Sequence, residues 1–102
     1  MFKVRQMGTD SGLVTNQFVI EMDRFRVFQS YQTTIAIVDT KDGSITLDHD
    51  WDISRTTMRW LKKFLEDELR MPPPAEMSAN VIREAIKQGL IQMRDINNRE
   101  EK

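Results

Sequence analysis

The 102-residue chain contains no cysteine, one histidine, four glycines and three prolines. Without cysteine it can form no disulfide, thiolate zinc site, iron–sulfur cluster or thiol nucleophile, and it suits a reducing compartment, so we expect a cytoplasmic protein. No apolar run approaches the roughly 18 residues of a membrane span, so we expect no membrane partner. The four glycines, at positions 8, 12, 43 and 89, form neither a phosphate-binding loop nor a dinucleotide-binding fingerprint.

Neither sign of charge predominates, because 15 Lys and Arg residues face 16 Asp and Glu residues. This balance excludes a histone-like polycation and an acidic disordered tail, and the length predicts one domain over residues 1–102. The charges are unevenly placed, with a net charge of −3 over residues 1–53 and +2 over residues 54–102. Apolar residues alternate before residue 53 and follow helical spacing after it, which predicts an α+β fold.

The first part of the chain predicts an antiparallel sheet of four to five strands within residues 2–48. Gly8 to Asn16 is rich in turn-forming residues and is predicted to be a loop. Asp42-Gly43, between two β-branched runs, predicts a tight hairpin, because glycine accepts a positive φ. The predicted strands are residues 2–7, 18–22, 25–28, 33–38 and 44–47.

The second part predicts a helix over about residues 55–69 that covers one face of the sheet. Ser54 is placed to cap it and Ile53 to pack on Met58. Pro72 to Pro74 form a spacer that ends this helix. A second helix is predicted at about residues 78–88.

The end of the second helix has two interpretations. Gly89 can act as a left-handed cap before a short strand, Leu90 to Arg94, or the helix can continue through Met93. The polar residues 97–102 predict a frayed tail. We expect the prolines to hold the C-terminal segment away from its own sheet, which favours a homodimer.

The acidic loop Asp48-His49-Asp50-Trp51-Asp52 resembles a calcium loop only in part. The sixth position from Asp48 is Ile53 where glycine is needed, and the twelfth is Arg59 where glutamate is needed. With one imidazole and no serine elbow, the chain also lacks a nucleophilic apparatus. We therefore expect no enzyme, no catalytic residue, no cofactor and no metal.

The first helix carries its charges in an unfavourable order. Its basic residues, Arg55, Arg59, Lys62 and Lys63, precede Glu66, Asp67 and Glu68, although the helix dipole favours the reverse. This order indicates an anionic partner, either an acidic protein face or a nucleic acid. Because each surface charge contributes little to the free energy of folding, ordinary variation among surface residues also explains this order. Met71 and Met77 flank the prolines and suit either an interface or core filling.

Four short motifs carry a resemblance to a known family. They are Phe28-Gln29-Ser30-Tyr31, Thr34-Ile35-Ala36, Leu47-Asp48 and the run from Trp51 to Trp60. Within about residues 18–65 they resemble a small uncharacterised family of short proteins carried mainly by bacteriophages and mobile elements. The chain departs from it at Ile53 and Trp60, where tyrosine is usual. The resemblance implies a phage-encoded accessory protein and brings no catalytic residues.

These observations predict a non-enzymatic protein that binds and blocks a host protein, such as a component of an anti-phage defence system. The alternative is a small nucleic-acid-binding regulator that uses the basic face of the first helix. The candidate contact residues are Gln29, Tyr31, Arg55, Arg59, Lys62, Lys63, Met71 and Met77.

Overall fold

The computed structural model describes residues 2–9, 11–71 and 76–98. Its elements are β1 (Lys3–Thr9), β2 (Gly12–Glu21), β3 (Phe25–Ser30), β4 (Thr33–Asp39), β5 (Ile45–Asp48), α1 (Arg55–Glu68), α2 (Ala79–Lys87) and β6 (Ile91–Arg94). The strands form one sheet in chain order; β1 to β5 are antiparallel neighbours, and β6 is parallel to β5. The predicted α+β fold is confirmed, with the short final strand as the sixth. Within the described ranges, no helix has the length and hydropathy to cross a bilayer.

The predicted loop from Gly8 to Asn16 is wrong, because β1 and β2 form a hairpin there. Gly8 pairs with Leu13 and Thr9 with Gly12, so only two residues separate the strands. A Cβ on Gly8 would lie 2.6 Å from the carbonyl oxygen of Gly12. Glycine therefore permits close strand pairing here instead of interrupting the strand.

The core lies between the sheet and α1. One row of paired residues crosses four strands, Val19 with Phe28, Phe28 with Ala36, and Ala36 with Leu47, and all four are buried. From α1, the Phe64 ring stacks on Phe28 with 5.7 Å between ring centroids. The apolar residues that recur at helical spacing on α1 therefore pack on the alternate residues of the strands that face inward.

The C-terminal segment packs on its own sheet, which corrects the prediction that the prolines hold it away. The Met77 backbone N–H donates a 2.9 Å hydrogen bond to Oε2 of Glu66. Ile82 of α2 is fully buried, and Ile91 of β6 pairs with Ile45 of β5. The C-terminal segment thus adds its own apolar residues to the core and pairs with β5 at the edge of the same chain's sheet. Pro72 to Pro74 themselves lie outside the described residues.

Left-handed residues end both helices. Gly89 has φ of +78°, and the N–H of Leu90 bonds to the carbonyl of Ala85 at 2.9 Å. This confirms the interpretation as a capped helix followed by a strand. Arg70, with φ of +52°, ends α1 before the prolines are reached, so they are not its terminator.

The tail prediction is wrong at Asn97. Its side-chain amide accepts a hydrogen bond from the Thr34 N–H at 3.1 Å and donates one to the Thr34 carbonyl at 2.8 Å. The Asn97 amide thus takes the place of a neighbouring strand for the backbone of Thr34, because β5 ends at Asp48. Residues 99–102 of the predicted tail lie outside the described residues.

Candidate functional site

A chain of hydroxyl groups fixes the start of α1 against β3. Ser54 Oγ accepts the Thr57 N–H at 3.1 Å, which confirms the predicted cap, and donates to Thr57 Oγ1 at 3.0 Å. Thr57 Oγ1 also shares a 3.0 Å hydrogen bond with Ser30 Oγ, and both residues are buried. The first turn of α1 is therefore held rigidly next to the β3–β4 turn.

Tyr31 begins that turn in a left-handed conformation, with φ of +56°. A bulky residue rarely adopts this φ, which costs about 1–2 kcal/mol for an L-residue. Two hydrogen bonds hold it: the Tyr31 N–H donates to the Asn16 carbonyl at 2.6 Å, and Gln29 Nε2 donates to the Tyr31 carbonyl at 2.7 Å. The fixed backbone leaves Tyr31 55% exposed.

Ile53 is the second exposed apolar residue at this point. It precedes the cap residue Ser54 and is 63% exposed, so it does not act as the buried staple that the sequence suggested. Ile53 and Tyr31 line one concavity of about 250 Å³, together with Ser30 and Thr57. Two apolar side chains therefore border a groove that contains hydroxyl groups.

The basic residues of α1 lie on its solvent side. Arg55, Arg59 and Lys62 are four and three positions apart, opposite the buried face of the helix. None of them has a carboxylate within 4 Å in the part of the chain that the structure describes. Lys63, by contrast, pairs with Asp67 at 3.4 Å. Among the described residues, three of the four predicted basic residues therefore have no carboxylate partner, and the Arg59 guanidinium lies 5.3 Å from the centre of the Trp60 ring.

We define the helix-start surface as Gln29, Tyr31, Ile53, Arg55 and Arg59. Four of these residues were predicted from the sequence as contacts, and Ile53 was not. The sequence signal for Ile53 was an isolated isoleucine just before a helix cap. In most proteins such a residue packs against the first turns of the helix.

The two methionines lie apart from this surface, near the end of α1. Met77 is 8% exposed and belongs to the core, so the prediction that it is an exposed contact is wrong. Met71 is half-buried and packs on the same core. Both side chains fill the space between α1 and the returning C-terminal segment.

The acidic loop is occupied by structural contacts. The Asp48 carboxylate is buried and accepts the N–H groups of Asp50 at 3.0 Å and Ile96 at 2.9 Å. Asp52 lies 3.7 Å from the Arg83 guanidinium, which in turn lies 5.5 Å from the centre of the Trp51 ring. The residues described contain no cluster of three or more metal-binding side chains. These carboxylates join the sheet, α2 and the C-terminal residues.

Residues 2–77 match the model of a family of unknown function, DUF8033. The chain belongs to this family. The matched part includes β1 to β5, α1 and the whole helix-start surface, whereas α2 and β6 lie beyond it. No curated protein and no solved structure matches the chain.

Proposed function

We propose that this chain is a non-catalytic binding protein that blocks a partner protein by occupying its surface. The observation that carries the proposal is Tyr31, an exposed aromatic residue held in a strained backbone by two hydrogen bonds. Strain of this kind is concentrated at functional sites, where the surrounding structure maintains it. The resemblance to phage proteins supports the setting: a phage-encoded protein in the bacterial cytoplasm, with a host protein, such as a defence component, as its partner.

Tyr31 suits the role of an anchor in a protein interface. Tyrosine and arginine are enriched among the residues that contribute most of the binding free energy. Because its backbone is already fixed, Tyr31 loses little conformational entropy when a partner covers it. Ile53 enlarges the apolar centre, and Gln29 holds the turn from the side.

The charges next to this apolar centre define the chemistry of the partner. Arg55 and Arg59 lie on α1, which begins two residues after Ile53, and neither has a carboxylate partner among the described residues. Lys62 extends the positive charge along the same side of α1. Complementary charge accelerates association and excludes wrong partners. The partner is therefore a protein surface with carboxylates around a site that receives Tyr31.

The test begins with a partner captured from the host by the tagged full-length chain and then purified. Tyr31→Asn removes the ring and keeps a residue that tolerates a positive φ. We expect it to weaken the affinity at least about 30-fold, as for a dominant interface residue, in calorimetry. Leu90→Asn, which removes a 70% exposed leucine from beyond α2, is the control and should bind normally. Wild-type affinity in Tyr31→Asn would refute the proposal.

A second candidate function is nucleic-acid binding, favoured by Arg55, Arg59 and Lys62, which share one side of α1 and have no carboxylate partner among the described residues. Three phosphate contacts would make the affinity for duplex DNA fall about 40-fold between about 50 and 200 mM salt. The affinity of a protein interface anchored on Tyr31 would fall much less over the same range of salt. Fluorescence anisotropy with a labelled duplex and a labelled RNA distinguishes the two. Steeply salt-dependent binding that Arg59→Gln abolishes would make this the leading function.

A further inference from the structure

The sheet has an apolar face that no described element covers. Core residues and both helices occupy the inner face, and the alternate positions of β1 to β4 point to the other side. We call the apolar residues among these positions the open sheet face: Phe2, Val4, Phe18, Ile20, Phe25, Val27 and Ile37. The polar outward positions include Gln6, Gln29, Thr34 and Asp39. A solvated face of an antiparallel sheet normally carries polar residues, so this composition indicates a covered surface.

The apolar residues of the open sheet face are contiguous. Val4 pairs with Ile20, Ile20 with Val27, and Val27 with Ile37, which makes an unbroken row across four strands. At the edge of this patch, Phe2 and Val4 are 65% and 55% exposed. The rest of the row is half-buried at Ile20 and Ile37 and buried at Val27, which is 8% exposed.

The open sheet face is also nearly free of charge. Among the outward positions of β1 to β4, the one charged side chain in the described residues is Asp39. Its carboxylate already accepts hydrogen bonds from Arg24 at 3.0 and 2.9 Å. The Arg24 guanidinium lies 5.6 Å from the centre of the Phe25 ring, so this face carries one ion pair without net charge. A second copy of the same face would meet no like-charge repulsion.

We propose that two copies of this chain pack open sheet face against open sheet face in a two-fold symmetric dimer. Such an interface is isologous, so one self-complementary patch is sufficient. Two sheets packed in this way lie about 10 Å apart, with the outward side chains of both copies forming a second core. This dimer differs from segment exchange, because each C-terminal segment stays on its own sheet.

The area of the face agrees with a second copy as its occupant. With β1 to β4 of 7, 10, 6 and 7 residues, about 3.4 Å per residue and about 4.8 Å between strands give a face of about 490 Å². Two such faces bury about 980 Å², close to the roughly 1,000 Å² that a specific interface needs. A single helix of about 10 Å diameter would cover only about half the width of these four strands.

The dimer and the proposed function can be tested separately. α1 lies on the inner side of each sheet, so Arg55 and Arg59 stay open when the opposite face is covered. Gln29, by contrast, pairs with Phe18 of the open sheet face, and Tyr31 lines a concavity with Phe18, so the two surfaces adjoin at the end of β3. A wild-type chain that binds its partner but stays monomeric would overturn only the present inference. Wild-type partner affinity in Tyr31→Asn, with the dimer intact, would overturn only the proposed function.

Sedimentation equilibrium of the full chain tests the dimer between about 5 and 500 μM, the range of a moderately stable complex. We expect twice the 12.0 kDa mass of one chain. Val4→Glu should weaken dimerisation at least about 30-fold, because it places two carboxylates in the interface. The control is Val81→Glu. Val81 is 48% exposed on α2, and glutamate three positions after Ser78 completes a favourable capping box.

Phe2→Glu provides a second variant in case Val4→Glu does not fold, because Phe2 precedes β1 and is more exposed. Circular dichroism establishes folding for each protein before sedimentation. A monomeric wild type at the highest concentration would overturn the inference. So would a folded Val4→Glu or Phe2→Glu variant that dimerises as the wild type does.

Discussion

At the scale of single residues, Gln17 has no exposed surface, and neither Nε2 nor Oε1 of its side chain has a hydrogen-bond partner in the described part of the chain. It lies on β2 opposite Ser30, whose own hydroxyl bonds to Thr57. A buried polar group without a partner costs about 1–3 kcal/mol. We expect Gln17→Met, of similar length, to raise the free energy of unfolding by about 1 kcal/mol in urea denaturation. A lower stability would contradict this account.

Asp39 makes a pH-dependent contribution to stability. Hydrogen bonds from Arg24, together with the N–H of Lys41, hold the pKa of this carboxyl below its ordinary value of 3.8. The unfolded chain therefore binds this proton more readily than the folded chain. Asp39 stabilises the fold above about pH 4, and the stabilisation is lost as the pH falls through the folded-state pKa.

Urea denaturation of wild type and Asp39→Asn between about pH 7 and pH 2 measures this contribution. The wild type should be the more stable protein at neutral pH, and the difference should narrow below about pH 4. Burial raises the pKa of Glu68, an effect of opposite sign, but both proteins share it, so the difference isolates Asp39. A difference that does not change with pH would refute the assignment.

At the scale of elements, Gly89 controls the transition from α2 to β6. Its φ of +78° allows the N–H groups of Gly89 and Leu90 to cap the last helical turn. A Cβ at this position would meet nothing within 4 Å, so a side chain would cost only backbone strain. We expect Gly89→Ala to lower the free energy of unfolding by about 1 kcal/mol in thermal denaturation. Gly89→Asn should lower it by less, because asparagine tolerates a positive φ better than alanine. Equal stability of all three proteins would contradict a left-handed cap.

Elements with local signals were predictable from the sequence. α1 was predicted at residues 55–69 and ends at Glu68, because the Ser54 cap and the apolar spacing are local. The β1–β2 hairpin was missed because its glycines act through cross-strand pairing, as at Gly8. The return of the C-terminal segment depends on the Met77 contact with Glu66, eleven residues apart, which no local pattern encodes.

The candidate site was predictable to a similar degree. Arg55 and Arg59 follow from helical spacing alone. The left-handed backbone of Tyr31 does not, because it depends on the carbonyl of Asn16, fifteen residues earlier on β2. The exposure of Ile53 depends on where the β3–β4 turn lies relative to α1, which is likewise a non-local property.

At the scale of the whole molecule, the fold separates two kinds of surface. The inner side of the sheet supports α1 with Arg55 and Arg59, and the other side carries the open sheet face, which Gln29 adjoins through its pairing with Phe18. In the proposed dimer the open faces meet at the centre, and the two α1 helices lie on opposite outer sides. Such a dimer engages two partner molecules at once, so tethering both would strengthen apparent binding without any new contact.

The last whole-molecule property is cooperativity between the region matched by the family and the segment beyond it. Ile82 of α2 is fully buried in the same core as Trp51 and Trp60, which are fluorescent reporters of the matched region. Ile82→Ala should lower the free energy of unfolding by about 2–5 kcal/mol, because it leaves a cavity in this shared core. The transitions measured by tryptophan fluorescence and by far-ultraviolet circular dichroism should shift together. An early loss of helical signal with unchanged fluorescence would instead show that α2 and β6 unfold as a separate unit.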